Sequence, residues 1–226
     1  MVIRKGEAWE RPAAGPPEWT SHGTDAELAA AVRGRPGTRV GLDPARGCDL
    51  ARALGLQPTG GAGPREAPAH DLAVDALRVV VGDDRELFGV NLLALGTAPD
   101  RLSWWSRRAS VTVSVDGRVV HEGTASSVVV ASGQYLRGTD VVPRGHPGDG
   151  RLEVQVYAPR RGEAHEVRRR LAVGTHLPNP RIRQTSGTTV EVVTARTWPI
   201  ELDGIPVPGA SRIRITVIPA HFVVVV

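Results

Sequence analysis

From about residue 73 to its end, the chain is a series of short segments rich in Val, Ile and Thr, separated by turn signals. Asp-Gly pairs at 116–117 and 203–204 stand between apolar runs, where they indicate tight hairpins because aspartate and glycine tolerate positive φ. Apolar and polar residues alternate in 111–115 and 212–217, as in strands with one buried side. This pattern predicts a β-sandwich or barrel. The predicted strands are 76–81, 87–95, 110–115, 126–131, 152–157, 188–193, 200–203, 212–217 and 222–226, with one helix at 163–173.

The first part of the chain has a different pattern, which is typical of a small α/β unit. Its predicted elements are a helix, a strand and a second helix, at Ala26–Val32, Thr38–Leu42 and Asp49–Leu54. Thr24 or Asp25 is suited to cap the first helix. Residues 57–69 are rich in Pro, Gly and Ala, which indicates a linker. We therefore predict an α+β, mostly β chain with an α/β unit at 1–60, a linker at 61–72 and a β-sandwich domain at 73–226.

Composition excludes several classes of protein. The single cysteine, Cys48, excludes a disulfide framework and a multi-cysteine zinc site within one chain, and no histidines have metal-ligand spacing, so we expect no metal. No stretch approaches the ~20 apolar residues that span a bilayer, and no secretory signal is visible, so we expect a cytoplasmic protein. Arginine supplies all the cations except Lys5, which reflects either a composition bias or an anionic partner such as nucleic acid, phospholipid or nucleotide.

Four segments, in this order, resemble motifs of the bacterial diacylglycerol kinase and lipid kinase family. They are RVGLDPARGCDLARALG at 39–55, VVASGQYLRG at 129–138, Pro143 followed by GDGRLEV at 148–154, and Gly174-Thr175-His176 followed by PIELDG at 199–204. The resemblance implies the NAD kinase/diacylglycerol kinase-like fold, in which a nucleotide-binding α/β lobe precedes a β-sandwich lobe. It also implies that ATP lies between the lobes and that a lipid hydroxyl takes the γ-phosphate.

The same resemblance implies candidate site residues, and several are altered. The phosphate loop falls on TSHGT at 20–24, which keeps Gly23 and Thr24 but lacks the leading glycines and the aspartate. A second loop supplies Gly47 and Asp49 to the nucleotide site. Asp203 aligns with the proposed catalytic base, and Ile205 stands where a glutamate is expected. Phosphoryl transfer requires close backbone approach, carboxylates for Mg²⁺ and a proton acceptor, so these losses predict a degenerate site.

The residues themselves allow structural alternatives. Asp203 is either a retained base or a hairpin turn residue, and Asp49 is either a site residue or a helix N-cap. Cys48 is expected to be structural, and Asp149 to be a turn residue. The α/β unit is also shorter than the ~100 residues that a doubly wound nucleotide lobe requires, so we expect a remnant of that lobe.

Trp104 and Trp105 stand next to Arg107 and Arg108 in a chain with few aromatic residues. These four residues are candidates for contact with lipid at a membrane interface, and packing of an indole under the sandwich is the alternative. Further arginines, at 160–161 and 168–170, flank the predicted helix. They are candidates for contact with anionic headgroups, or a solvated face.

Our leading hypothesis is a lipid kinase-like protein that has lost catalysis and uses no cofactor. It would bind lipid or an anionic membrane surface, or regulate a protein partner, as a cytoplasmic protein with peripheral membrane contact. The alternative is an active ATP- and Mg²⁺-dependent lipid kinase that uses Asp49 and Asp203 and completes its nucleotide site across a homodimer. A third reading, nucleic-acid binding, lacks a reading motif and a dense basic stripe, so no nucleic acid is expected.

Overall fold

The computed structural model describes residues 10–43, 47–56, 70–160 and 162–226. The helices are α1 (Asp25–Val32), α2 (Asp49–Ala53) and α3 (Glu163–Ala172), and Pro99–Arg101 form one 3-10 turn. The strands are β1 (Glu10–Pro12), β2 (Trp19–Ser21), β3 (Arg39–Leu42), β4 (His70–Val81), β5 (Arg85–Gly89), β6 (Leu92–Gly96), β7 (Ala109–Val115), β8 (Arg118–Ala125), β9 (Ser127–Ala131), β10 (Tyr135–Leu136), β11 (Thr139–Asp140), β12 (Leu152–Tyr157), β13 (Ile182–Gly187), β14 (Thr189–Leu202) and β15 (Ile205–Val225). The chain is thus mostly β, as predicted.

Two long strands connect the layers of the sandwich. β14 pairs with β7 through Val190–Thr194 and with β6 through Ile200–Leu202, and it pairs with β15 along most of its length. Its register shifts between Val193 and Ile200, where the strand passes from one neighbour to the other. The main path of the sheet runs β1-β4-β15-β14-β6-β9-β12-β13. Because β14 changes neighbours along its length, the hydrogen-bonded sheet folds onto itself as a sandwich.

The core between the layers is almost entirely aliphatic, in keeping with the scarcity of aromatic residues. In β7, Val111, Val113 and Val115 are buried and alternate with more exposed serine and threonine. They belong to a cluster that draws buried residues from most of the long strands and includes Trp198. Helix α3 covers a second cluster, which it enters with Ala164, Val167 and Leu171, spaced for one helical face.

The small α/β unit is built directly onto the sandwich. Strand β3 pairs in parallel with β2 on one side and with the end of β15 on the other, where Arg39–Gly41 face Val223–Val225. Helices α1 and α2 pack on this edge through Leu28 and Leu50, in one apolar cluster with Phe222. The predicted linker lies outside the described residues over 57–69, and its last three residues, 70–72, belong to β4. Residues 44–46, between β3 and α2, also lie outside them.

Several predicted strand boundaries were wrong, for identifiable reasons. The predicted strand 87–95 is two strands, because the backbone at Val90 and Asn91 turns away to donate hydrogen bonds to Asp203. The predicted pairs 188–193 with 200–203 and 212–217 with 222–226 are the single strands β14 and β15. Strand β8 was missed because it is a largely exposed strand that pairs with β7 alone.

Candidate functional site

The predicted phosphate loop forms the start of α1. Thr24 is the N-cap, and its hydroxyl accepts a hydrogen bond from the backbone N–H of Glu27 at 3.4 Å. The Glu27 side chain accepts in return from the backbone N–H of Thr24 at 2.7 Å, which completes a capping box. Thr24 is therefore the cap, and Asp25 is the first residue of the helix.

The Glu27 carboxylate also lies against Gly23. A β-carbon added at Gly23 would collide with Glu27 Oε2, so the side chain covers the only glycine of this loop. An open cleft of about 460 Å³ is lined here by Trp19, by residues 20–24 and by Glu27. His22 contacts Asp43 at 3.0 Å. Helix N-termini favour anions because of their free N–H groups, but here a carboxylate of the chain already occupies that position.

Asp49 lies at the start of α2 and joins it to the sandwich. Its carboxylate accepts hydrogen bonds from the backbone N–H groups of Arg137 and Gly138, the second at 2.7 Å. Partial burial raises its pKa, against the effect of these two donors. The predicted N-cap role was wrong, because Cys48 is the N-cap of α2 and Asp49 is its first residue. Gly47, just before, has a positive φ of 76° and is exposed.

Asp203 lies in the turn between β14 and β15, and its carboxylate points inward. With φ of 50° at Asp203 and 80° at Gly204, the pair forms the predicted hairpin turn. The carboxylate accepts three backbone hydrogen bonds, from Val90 at 2.8 Å and from Asn91 and Leu92 at 3.0 Å. Burial, and secondarily the nearby Asp25, raise its pKa to about 7 although these donors favour the charged form.

A second buried acid, Asp25, lies next to this turn. Asp25 accepts hydrogen bonds from Cys48 Sγ at 3.0 Å, from the Leu50 N–H at 3.1 Å and from Asn91 Nδ2 at 2.6 Å. Burial raises the pKa of Asp25, and burial beside Asp25 raises that of the Cys48 thiol, which is consistent with a structural cysteine. Asn91 thus bonds both acids, through its side chain to Asp25 and through its backbone to Asp203. We call Asp25, Asn91 and Asp203 the buried carboxylate junction.

Asp25, the residue after Thr24, lies near both Asp49 and Asp203, so the residues that the resemblance groups into one site lie in one region of the fold, but they do not line one open cleft. Gly23 and Thr24 line the open cleft, whereas Asp49 and Asp203 do not, and both use their carboxylates on backbone N–H groups. Across the described ranges, no three His, Cys, Asp or Glu side chains are grouped as metal ligands. Asp149 serves its own turn by accepting from the Arg151 N–H at 2.9 Å.

Trp104 and Trp105, unlike the buried Asp203, lie at the surface of the protein. Ser103–Arg108 lie between buried Leu102 and buried Ala109, and the Ser106 N–H donates to the Ser103 carbonyl at 3.1 Å, so Trp104 and Trp105 form the tip of a turn. Trp104 is 63% exposed and Trp105 is 86% exposed. Packing under the sandwich, the alternative considered for these residues, is therefore wrong. We call Ser103–Arg108 the tryptophan loop.

A cleft of about 410 Å³ lies between the tryptophan loop and the start of α3. Arg107 and Arg108 line it from the loop, Arg160 from the segment before α3, and Arg196 from β14. The other arginines of α3 are engaged elsewhere, because Arg169 and Arg170 pair with Glu166, and Arg168 contacts His165. Arg161 lies outside the described residues. We call this the arginine cleft.

Sequence reasoning missed three buried polar residues that hold these elements together. Asn91 is the only polar residue in the apolar run 90–95, which was its one visible signal. Asp25 was considered only as a helix cap. Asp75 interrupts the apolar strand β4 and accepts from the N–H groups of Gly150 and Ala220 at 2.7 and 2.8 Å, and burial raises its pKa to about 6.

Within the part of the chain that the structure describes, no helix has the length and apolar content needed to cross a bilayer.

Solved structures with a similar fold include the following three. A diacylglycerol kinase of Bacillus anthracis str. Sterne shares 20% identity over 83% of this chain and 66% of its own, with a TM-score of 0.60. A candidate diacylglycerol kinase of the same organism shares 16% identity over 90% of this chain and 75% of its own, with a TM-score of 0.66. Yeast NADH kinase, complexed with NADH, shares 12% identity over 92% of this chain and 61% of its own, with a TM-score of 0.52. At these identities the likeness shows the fold.

No curated protein matches the sequence significantly. The model of one family does match, the YegS C-terminal NAD kinase beta sandwich-like domain, over residues 91–226. That range covers more than half of the chain and includes β6–β15, the tryptophan loop and Asp203. The chain therefore belongs to the family of the YegS C-terminal NAD kinase beta sandwich-like domain.

Proposed function

We propose that this chain is a lipid kinase-like protein that does not transfer phosphate and that acts at a lipid or anionic membrane surface. The observation that supports the absence of phosphate transfer is the burial of the Asp203 carboxylate. A general base must lie within hydrogen-bond reach of the proton that it removes. The Asp203 carboxylate is buried and accepts three backbone N–H bonds that support the fold of 90–92, which favours a structural role over that of a base.

The surroundings of Gly23 also do not fit a magnesium-bound triphosphate. The Glu27 carboxylate covers Gly23 and takes the Thr24 N–H, so a phosphate approaching this backbone would meet a negative charge. Mg²⁺ prefers carboxylate and phosphate oxygens, and the Asp49 carboxylate is bound instead to the backbone at Arg137 and Gly138. These contacts favour a site that does not hold a magnesium-bound triphosphate.

The second half of the proposal rests on the tryptophan loop. Tryptophan is enriched at membrane interfaces, where its ring is apolar and its N–H reaches water. Two neighbouring indoles at the tip of a turn, with arginines behind them, provide apolar contact and attraction to anionic lipid together. The buried free thiol of Cys48 is compatible with a cytoplasmic location, from which such contact would be peripheral.

Phosphate transfer is tested by supplying labelled ATP, Mg²⁺ and diacylglycerol in mixed vesicles and following label in the lipid. We expect no transfer above that of a blank without protein. Turnover by the parent chain would overturn the absence of phosphate transfer, and its loss in the isosteric variant Asp203→Asn, with the fold checked by circular dichroism, would support the active lipid kinase.

Membrane contact is tested by sedimentation with phosphatidylcholine vesicles that contain an anionic lipid. We expect the parent chain to sediment and the Trp104→Ala/Trp105→Ala variant to remain largely in the supernatant. A matched control is Val119→Ala/Ile205→Ala, which removes two exposed apolar side chains elsewhere on the surface and should leave sedimentation unchanged. Equal sedimentation of the parent chain and the Trp104→Ala/Trp105→Ala variant would contradict the proposed membrane contact through the tryptophan loop.

A further inference from the structure

We propose that the arginine cleft binds a phosphate-monoester headgroup of a membrane lipid, an inference that rests on the proposed membrane role of the tryptophan loop. The cleft is lined by Ser103–Arg108, Ser126, Pro159, Arg160, Gly162, Ala164 and Arg196. Its volume of about 410 Å³ exceeds that of a single phosphate group, so a headgroup can enter with part of its glycerol.

The lining of the cleft is strongly cationic. Four guanidinium groups line it, and among its described lining residues there is no aspartate or glutamate. The neighbouring Glu163 accepts the backbone N–H of Arg160 and pairs with Arg181. Arginine suits this task because its planar donors match phosphate oxygens in pairs and its charge persists at all physiological pH values. Four arginines beside one carboxylate leave an excess of positive charge, which is complementary to a multiply charged anion.

The backbone around the cleft holds part of this cluster in place. The Arg196 guanidinium donates to the Arg108 carbonyl at 2.6 Å, which ties β14 to the tryptophan loop. Arg108 Nε is buried and, within the described residues, has no hydrogen-bond partner. Helix α3 begins beside the cleft after Gly162, which has φ of 91°, and the Glu163 carboxylate in its first turn accepts the Arg160 N–H at 2.8 Å, which fixes the backbone that carries Arg160.

The position of the indoles connects the cleft to a bilayer. Trp104 lines the cleft, and its ring packs against Gly162, 3.4 Å from where a β-carbon would lie. Trp105 projects beside it, almost fully exposed. Indoles settle at the level of the headgroups, so a loop anchored by Trp105 places the arginines at the depth of lipid phosphates.

The charge argues for a monoester. A terminal phosphate carries about −1.5 to −2 charges at neutral pH because its second pKa is about 6, whereas a phosphodiester carries one. Four arginines around one space favour the group with the higher charge. The ligand class is therefore a lipid that ends in a free phosphate, such as phosphatidic acid.

The test compares vesicles of phosphatidylcholine with equal molar fractions of either phosphatidic acid or phosphatidylserine. We expect the parent chain to bind the phosphatidic acid vesicles more tightly. The Arg107→Glu/Arg160→Glu variant changes two exposed side chains of the cleft, and it should lose affinity for phosphatidic acid by more than about tenfold, since each cation near an anionic surface contributes about fivefold. Its affinity for vesicles of phosphatidylcholine alone should be unchanged.

A matched control carries the same charge change elsewhere. Arg33→Glu/Arg118→Glu alters the end of α1 and the start of β8, where Arg118 pairs with Val115 at the end of β7 that is about 20 Å along the strand from Arg108. This control should keep the preference for phosphatidic acid. Soluble glycerol 3-phosphate should compete with the phosphatidic acid vesicles, which separates recognition of the headgroup from general attraction to the surface.

The outcomes separate this inference from the proposed function. One outcome is that the parent chain binds phosphatidic acid and phosphatidylserine vesicles equally and that the Trp104→Ala/Trp105→Ala variant binds neither. This outcome would overturn phosphate binding by the arginine cleft but would support the membrane role. An equal loss of affinity for phosphatidic acid vesicles in Arg107→Glu/Arg160→Glu and in Arg33→Glu/Arg118→Glu would also overturn phosphate binding by the arginine cleft. Failure to bind any vesicle would overturn both.

Discussion

The buried carboxylate junction and the tryptophan loop use polar and aromatic residues in opposite ways. In the junction, the oxygens of Asp25 and Asp203 accept hydrogen bonds from within the chain, and the residues are buried. In the tryptophan loop, two indoles face the solvent, and the neighbouring arginines line a cleft whose described lining residues include no acidic side chain. One region directs its polar groups into the protein, and the other directs them outward.

This contrast indicates where a ligand is to be expected. A buried polar group stabilises the fold only if it is paired, so the junction should be sensitive to substitution. An exposed group can be replaced with little effect on the fold, so conspicuous exposed groups such as Trp105 are more informative about binding. The motifs that resemble a kinase site lie mainly in the first class, and the residues that point to membranes lie in the second.

The largest expected effect is that of Asp203→Ala. The substitution leaves the N–H groups of Val90, Asn91 and Leu92 without their acceptor in a buried place, so the free energy of unfolding should fall by about 3–5 kcal/mol. Urea unfolding followed by circular dichroism measures this change. A variant as stable as the parent chain would show that the carboxylate does not hold this turn, and the contrast between the two regions would fail.

The next effect is that of Asn91→Asp. The amide that donates to Asp25 at 2.6 Å becomes a third carboxyl group in the junction. Repulsion and the lost donor should lower the free energy of unfolding by about 2–3 kcal/mol at pH 8, with partial recovery at pH 5, where protonation relieves the repulsion. Chemical unfolding at the two pH values checks this prediction, and an equal loss at both would contradict it.

The free energy of unfolding of the parent chain should itself depend on pH. The pKa of Asp203 is raised to about 7 in the folded state, against about 3.9 in an unfolded chain, so the folded state binds more protons between these values. Linkage then requires that Asp203 contributes a fall in the free energy of unfolding, of about 3 kcal/mol, as the pH rises from about 4 to 7. Asp75, with its pKa raised to about 6, acts in the same direction.

Comparison with Asp203→Asn isolates the contribution of Asp203 to the pH dependence of the free energy of unfolding. Burial lowers the pKa values of His121 and His176, which act in the opposite direction but are common to both proteins. The advantage of the parent chain over the variant should therefore shrink between pH 5 and pH 8. A constant difference in the free energy of unfolding would show that Asp203 titrates outside this range.

The smallest effect on stability is expected for Trp105→Ala. With its side chain exposed, its removal should change the free energy of unfolding by less than about 0.5 kcal/mol. The same variant should lose much of its affinity for anionic vesicles. If Trp105→Ala unfolded as readily as Asp203→Ala, the indole would be a structural residue and the contrast would again fail.

Much of the fold could be predicted from local signals. The Asp-Gly pair at 203–204 and the alternation in β7 follow from backbone preferences and burial that each segment carries by itself. The break between β5 and β6 could not be predicted, because it depends on Asp203, which is more than one hundred residues away in the chain. The continuity of β15 through Ala220 was hidden for a similar reason, since Asp75 of another strand supports that irregularity.

The candidate site was predictable to a lesser extent. Adjacent tryptophans beside arginines could be recognised as a group in the sequence, but their exposure could not, because burial depends on which elements cover them. Arg160 and Arg196 are distant from the tryptophan loop in sequence and complete the arginine cleft only through the packing of α3 and β14. Asp25 and Asn91 remained unnoticed because each is a single polar residue, and their bond joins two parts of the fold.

The central claim, that the polar groups at the kinase motifs belong to the fold, is tested most directly by the melting temperature of the parent chain with and without Mg²⁺ and ATP. A ligand at one hundred times its dissociation constant stabilises the folded state by about 2.7 kcal/mol, which corresponds to roughly 5–10 °C for a chain of this size. We predict no shift in the melting temperature at millimolar nucleotide. A rise of several degrees that depends on both Mg²⁺ and ATP would contradict the claim.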